Sequence, residues 1–496
     1  MYSAIDTTAL KRPGDFSLSD VILTSYQSEG VNSNPKKISV TTLVTELNIY
    51  ESIHNKTLSG SLVLIDATNV VAALPLTGFE RIEFRLFTPS ISRGFDFTEK
   101  SGHPMYIYRI GQRQGMNPRV QTYILYFASR EMIRNEQVKA NKAYTGQISN
   151  IVTELLRDPD LLDTEKDVFV EETKGVHKYV LPTERPFDAI EMLSLEARSK
   201  KYHNPGMQLY ETSFGFNFKS MESMLAITDS QARPVVARFE PKPASIRVDG
   251  NRDILQEMKI ASTFTIKDQY NTLKNLRNGV FAGNITQYDA FNKTHKDIIF
   301  DYNKEYELAN HTEHSADGGR TDDKGILPLV NMGGKLMSDY FEGVQYLRSD
   351  TANLHNDIET SPTSEIVIKR LSSKLAFETF KLELTVPGFT GLSAGELIAF
   401  DMPSYTAISD TNPLDHDPYM SGRYLVSGIR HIVSILNGKH QMVLECIKDS
   451  VKRPYPEELN DTFTGKEKAD RGIIDQYTLD ETLIANDTNS NNVFKA

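Results

Sequence analysis

The end of the chain echoes its beginning, and this repeat constrains the fold more than any other feature of the sequence. Without gaps, residues 108–129 can be set against 427–448. Ile110 then falls on Ile429, Tyr123 on Met442, Leu125 on Leu444 and Phe127 on Cys446. Each stretch reads as strand, polar turn, strand. Upstream, Phe79 to Pro89 resembles Glu396 to Pro403, an alternating strand that closes on a proline. A further echo sets GSLVLID at 60–66 against GNITQYD at 283–289, both as the returning arm of a hairpin. Any two strand pairs can match this well once; two matches in the same order support a repeat. The second copy is then split, with its hairpin near 250–290 and its closing strands near 376–451.

Period-two alternation carries the first third of the chain. Ile38, Val40, Thr42 and Val44 alternate with other residues, as do Leu62 and Leu64, then Ile82, Phe84 and Leu86, then Tyr123, Leu125 and Phe127. Such sets share one face of a half-buried sheet. Gly, Asn and Pro punctuate them at short intervals, which suggests a barrel or sandwich. After Ser129 the period changes. Ile148, Ile151, Val152, Leu155 and Leu156 form a helix face, with Thr145 as cap and Asp158-Pro159 as stop. A second helix starts near Pro186, and a hairpin follows with its turn at Thr212-Ser213 and Phe214, Phe216 and Phe218 on its second arm. A helix through Ile366, Ile368, Leu371 and Leu375 precedes a strand with Phe380, Leu382, Leu384 and Val386, ended by Pro387-Gly388.

At 496 residues the chain is expected to hold about two to four domains. The formal net charge is -11 and no Lys/Arg-rich run stands out. Sequence-specific DNA binding is therefore disfavoured, because phosphate contacts need clustered cations. The one cysteine, Cys446, excludes an internal disulfide and a cysteine zinc site, and its alternating context reads as a core position. No run of about 18 apolar residues occurs and Met1–Phe16 has no signal-peptide pattern, so a cytosol-like compartment is expected. From Pro454 onward Asp, Glu, Asn, Thr and Lys dominate, a composition expected to fold only on a partner.

Several segments carry a family resemblance: LVTELNIYESIHNKTLSGSLVLIDATN at 43–69, YILYFASREMIRNEQVKANKAYTGQISNIVTELL at 123–156, LYETSFGFNFKSMESM at 209–224, NGVFAGNITQYDAFNKTHKDIIFDY at 278–302 and LELTVPGFTGLSAGELIAFDMP at 382–403. In order and spacing they resemble the baseplate central hub proteins of T-even-like contractile phages. They are also similar to the hub portion of type VI secretion and R-type pyocin spikes. The resemblance spans about residues 18–451. It implies an α+β fold of two tube-type antiparallel β-barrel domains with an inserted mixed α/β domain, arranged as a trimeric ring. Mapped onto the chain, this gives a first tube-type domain at 1–132. The inserted domain takes 133–249 and 291–375. The second tube-type domain takes its hairpin from 250–290 and its closing strands from 376–452. Residues 453–496 are a C-terminal extension. The implied role is structural and non-enzymatic: a homotrimer that adapts the sixfold tail tube to the threefold central spike and forms part of the DNA channel. The implied partners are the trimeric spike, the tail tube or its initiator, the baseplate wedge proteins and the tape measure protein, with DNA only in passage. The implied location is the virion tail baseplate, assembled in the host cytoplasm. The alternatives are a tail-associated peptidoglycan hydrolase, or the hub of a bacteriocin or type VI secretion machine.

No cofactor, metal or catalytic residue is expected. His311 and His314, with Asp317, Asp322 and Asp323, have metal-ligand residue types, but a solvated polar loop over 311–325 is favoured. Asp410, Asp415, His416 and Asp417 are oxygen-rich in the way calcium requires, yet do not follow the EF-hand order, and a turn is favoured. The pairs Glu171-Glu172 and Glu457-Glu458 read as surface, since a glycosidase needs carboxylates facing each other across a cleft. Tyr106, Tyr108, Tyr123, Tyr126 and Phe127 have the side chains of a base-stacking surface, but without interleaved cations they read as sheet core and interface.

Overall fold

A computed structural model describes residues 10–25, 36–74, 76–225, 235–241, 254–289, 293–313, 337–349, 363–403, 416–417 and 419–451. The protein is mostly β with a few helices, and one 14-stranded sheet organises it. Twelve of those strands fall into two sets of six. The first set is β1 (Ile22–Ser25), β2 (Val44–Ser52), β3 (Ser59–Asp66), β4 (Arg81–Glu83), β5 (Met105–Asn117) and β6 (Val120–Ser129). The second is β7 (Ala237–Pro241), β8 (Thr263–Gln269), β9 (Phe380–Pro387), β10 (Leu397–Phe400), β11 (Gly422–Ser434) and β12 (Lys439–Lys448).

Both sets have the same topology. Across the sheet the first runs β1-β4-β5-β6-β3-β2 and the second β7-β10-β11-β12-β9-β8. Their one difference in direction is at the start, where β1 meets β4 antiparallel and β7 meets β10 parallel. The long strand β11 joins the sets: residues 422–425 pair with β10, and residues 428–434 pair with β2 on that same side. Among the described residues the strands do not close into a barrel.

Alternation explains why these residues are strands. Along β9 the pattern is strict, with Phe380, Leu382, Leu384 and Val386 buried and their neighbours half-buried. Along β12, His440, Met442, Leu444 and Cys446 are buried. Each set has its own core. Leu62, Leu64, Tyr123, Leu125 and Phe127 belong to the first, and Leu384, Phe400, Tyr424, Met442 and Leu444 to the second. Full burial of such side chains contributes about 1.5–3 kcal/mol each. Gly60 admits the Phe127 ring opposite it; a Cβ there would lie 2.3 Å from the ring and 2.5 Å from the Asn48 carbonyl oxygen. The turn between β11 and β12 uses Gly438 at φ 55.

Residues 130–225 form the mixed α/β insertion. Helix α1 (Ile148–Arg157) buries Ile148, Ile151, Val152, Leu155 and Leu156. Its cap position is Gln147; Thr145, expected there, instead lies in the strand Ala143–Gly146 opposite Lys178. Helix α2 (Pro186–Ser194) starts on its proline and packs Phe187, Ile190 and Leu193 into the same core. The hairpin has arms Met207–Thr212 and Gly215–Ser220, so Phe214 is in the turn and not on the second arm. Helix α3 (Thr363–Phe377) packs on a separate three-stranded sheet of Ala282–Asp289, Thr294–Asp301 and Gln345–Ser349.

That last sheet corrects the second echo. The stretch 283–289 is not the second copy's hairpin arm; it pairs with Thr294–Asp301 and Gln345–Ser349. The strands equivalent to β2 and β3 are β8 and β9, with residues 270–379 between them. A short alternating run starting on glycine suits any hairpin, so its pattern does not fix its partner.

Candidate functional site

Two kinds of feature stand out: buried charged groups where the parts meet, and an open face and edges on the sheet. Glu131 sits just after β6, Lys166 just before the strand Asp167–Val170, and Glu211 on the hairpin arm Met207–Thr212. All three are buried. Lys166 Nζ is 2.7 Å from Glu131 Oε2 and 2.6 Å from Glu211 Oε1. Glu211 Oε2 also accepts from the Leu58 backbone N–H at 2.8 Å and from Ser129 Oγ at 2.5 Å. Glu211 therefore ties the insertion to the first strand set, and the ammonium holds Glu211 against Glu131 within the insertion. Burial works against the charge on Glu131, but Lys166 and Thr164 outweigh it and hold the carboxyl below its usual range. For Glu211 burial wins and pushes the carboxyl up, despite Lys166.

Glu51, on β2, is buried where both strand sets meet the insertion. Its Oε2 accepts from the Ala394 N–H at 3.1 Å, and its Oε1 accepts no hydrogen bond among the described residues. Burial pushes the carboxyl up to about 8, against the N–H groups of Ala394 and Ser213 and reinforced by Glu396 and Glu211. His431 and His440 form a second buried pair, with Nδ1 of one 3.1 Å from Nε2 of the other. Burial pushes both imidazoles down, His440 to about 3.

The metal-type residues are placed differently from one another. His311 is buried, not in a solvated loop. Its Nδ1 lies 2.7 Å from Asp449 Oδ2 and its Nε2 2.8 Å from the Tyr306 carbonyl oxygen, so both nitrogens are taken. Glu313 is also buried, 3.2 Å from Lys448 Nζ. The polar start of this segment matches buried polar partners on 448–450, which its own composition could not reveal. Asp417 closes a turn, accepting from the N–H groups of Tyr419 and Met420 at 2.8 Å each, and His416 is exposed beside it. His314, Asp317, Asp322, Asp323, Asp410 and Asp415 lie outside the described residues, as do Glu457 and Glu458. Among the described residues no cluster of three or more His, Cys, Asp or Glu could hold a metal ion. Glu171 accepts from Ser220 while Glu172 pairs with Lys200 at 2.7 Å, so these neighbours do not act together. Cys446 is enclosed in the second core, where burial pushes its thiol up.

The aromatic run divides between the two faces of the sheet. Tyr123 and Phe127 are core. Tyr108 and Tyr126 lie on the other face with ring centroids 6.4 Å apart, and the Arg109 guanidinium stands 5.0 Å over Tyr126. Across the join between sets, Arg430 stands 5.7 Å over Tyr50 and donates to Asn48 Oδ1. Cations are thus interleaved with these tyrosines, contrary to the reading from the run alone. The adjacency Tyr108-Arg109 was the available signal; the match of Arg430 to Tyr50 is made only by strand pairing.

The sheet has a continuous antiparallel stretch of eight strands, β5-β6-β3-β2-β11-β12-β9-β8. Among the described residues, the outer side of β5 pairs with another strand, β4, only at Met105 and Tyr106, and the Ile107 N–H donates to the Glu80 carbonyl oxygen just before β4. Among the described residues, β8 pairs with β9 alone. Both ends therefore present unpaired backbone, and β5 and β8 run in opposite directions.

No helix among the described residues is long and apolar enough to cross a membrane. No protein-family model matches the chain, and no curated protein matches it. Several solved structures are similar. A tail protein from Neisseria meningitidis aligns with a TM-score of 0.46 and 12% identity over 88% of this chain and 98% of its own. A 43 kDa prophage tail protein from Shewanella oneidensis gives 0.44 and 10% identity over 88% and 100%. A type VI secretion component from Escherichia coli gives 0.36 and 10% identity over 89% and 80%.

Proposed function

We propose that the chain is the structural hub at the centre of a contractile-tail baseplate, a homotrimer that joins a sixfold tube to a threefold spike and encloses part of the DNA channel. The observation that carries this reading is the duplicated strand set in which, among the described residues, the far part of β5 and the outer edge of β8 are unpaired. Inside one chain, the far part of β11 pairs with β2. By topology β5 is the equivalent of β11, and β8 the equivalent of β2. The unpaired part of β5 and the free edge of β8 are thus the same two surfaces, left open. Pairing β5 of one copy with β8 of the next would repeat the internal join between copies. Such a head-to-tail contact closes into a ring when the rotation allows it. It also covers edges that otherwise invite aggregation.

Three copies would place six similar strand sets around the axis. One side of the ring is then nearly sixfold, suited to a tail tube or its initiator. The insertion occurs once per chain, so the side that carries it is threefold, suited to a trimeric spike. Wedge and tape measure proteins complete the surroundings that the family resemblance implies. The role needs no chemistry, and the buried charges described above serve to fix the insertion against the strands.

Light scattering over a concentration series, with electron micrographs of the same samples, tests the reading. The expected species is a ring of three 56.0 kDa chains, about 168 kDa. A protein that stays monomeric at the highest concentration and shows no rings would sink it.

A further inference from the structure

The inserted segments leave the eight-strand stretch at one end. Residues 130–225 follow Ser129, and residues 270–379 follow Gln269. Strand pairing puts both points on the same side: Ala128 lies opposite Ser59, Ser52 opposite Gly428, Lys448 opposite Phe380, and Phe380 opposite Gln269. The turns of the two equivalent hairpins, β5-β6 and β11-β12, lie at the other end.

These turns carry the same four kinds of residue in the same order. One reads Met116-Asn117-Pro118-Arg119 and the other Leu436-Asn437-Gly438-Lys439: an apolar side chain, an asparagine, a turn former and a cation. Met116 is 59% exposed and Leu436 77%. Arg119 and Lys439 are exposed as well, and among the described residues neither forms an ion pair. A single exposed apolar residue is ordinary surface. Two of them, each three residues before a cation and at equivalent turns, are a repeated feature. The carboxylates that strand pairing brings to this end are engaged elsewhere. Asp66, opposite Gln121, is buried and accepts from the Val70 N–H at 2.8 Å. Glu46, opposite Ser434, accepts from Asn48 Nδ2 at 2.7 Å. Beside the second turn the Gly14 carbonyl accepts from the His440 N–H at 2.8 Å, a contact that leaves Leu436 and Lys439 exposed.

We propose that the two turns are one docking element in two copies, and that in the ring the six of them seat on a sixfold partner whose facing surface pairs apolar pockets with carboxylates. The apolar side chain anchors each contact and the cation selects the charge that meets it. The inference rests on the ring proposed above and deepens it by naming the end and the side chains that meet the tube. Cations at all six positions also oppose the stacking of two rings turn to turn.

Co-sedimentation with tail tubes isolated from the particle that carries this protein tests it, with the ring mass measured on the same samples. Arg119→Glu combined with Lys439→Glu should leave the ring intact and weaken tube binding at least about tenfold. Met116→Ser combined with Leu436→Ser should do the same, since all four side chains are exposed and the fold does not need them. Arg119→Glu and Lys439→Glu alone should each give a smaller loss of similar size. Binding by the unaltered ring should weaken as salt is raised. Rings that do not bind the tube, or that bind equally well with either double change, would overturn this inference and leave the ring standing. A loss confined to one of the two turns would overturn their equivalence. A protein that forms no ring would overturn the proposed function, and this inference with it.

Discussion

Two buried positions tie the fold to pH in opposite directions. Glu51 keeps its proton up to about pH 8 in the folded chain, against a usual carboxyl value of 4.5. The folded state therefore binds more protons than the unfolded one between those values, and stability falls as pH rises through that window. Glu51→Gln keeps an acceptor for the Ala394 N–H and removes the charge. It is expected to raise stability by about 1–3 kcal/mol at pH 8 and by little at pH 4.5, read from chemical unfolding at both values. His431 and His440 work from the acid side. Their folded affinity for protons is below the usual 6.5, so the unfolded chain gains protons first and stability falls as pH drops below about 6.5. Lys166 acts instead through its two buried ion pairs. Lys166→Ala leaves Glu131 and Glu211 facing each other in a dry site, and a loss of about 3–5 kcal/mol in unfolding free energy is expected. These groups were invisible in the sequence. Lys166, Glu131 and Glu211 are far apart along the chain and each looks like an ordinary surface residue.

Elements were more legible where their period was strong and local. Helix α1 and strands β6, β9 and β12 follow directly from apolar spacing, and the likeness of 108–129 to 427–448 picks out β5-β6 and β11-β12. The hairpin equivalent to β2-β3 was not legible. Its arms β8 and β9 are separated by residues 270–379, and β8 offers only the half-buried Phe264 and Ile266 as an apolar signal. Pairing across such a distance is decided by tertiary contacts and not by pattern. Close approach at Gly60 is the element-level contact most open to test. Gly60→Val would force the Phe127 ring away from β3, and a loss of about 1–3 kcal/mol, read as a lower urea midpoint, is expected.

At the scale of the whole molecule, the repeat predicts a register for the proposed join between copies. Ile432 of β11 lies opposite Asn48 of β2. Ile432 also lies opposite Gln441, which aligns with Thr122, and a bulge in β5 places Gln114 opposite Thr122, so Gln114 is the counterpart of Ile432. Asn48 reaches Tyr126 through Ser61, just as Thr265 reaches Glu445 through Glu383, and Glu445 aligns with Tyr126. Gln114 of one copy should therefore face Thr265 of the next in the proposed join. Both are exposed within a single chain, and Cys446 is enclosed and will not compete. Gln114→Cys combined with Thr265→Cys should give crosslinked species up to three chains on a non-reducing gel, and each single variant should not. Monomer alone from the double variant would count against this join.

The eight-strand stretch also has a parity. Because neighbouring strands alternate in direction and the count is even, its two ends point oppositely, which is what an antiparallel seam in the proposed ring requires. Losing or gaining one strand would leave the ends pointing alike and would make any such seam parallel. Sequence can thus be added freely between strands, as it has been at 130–236 and 270–379, but hairpins can be added or lost only whole.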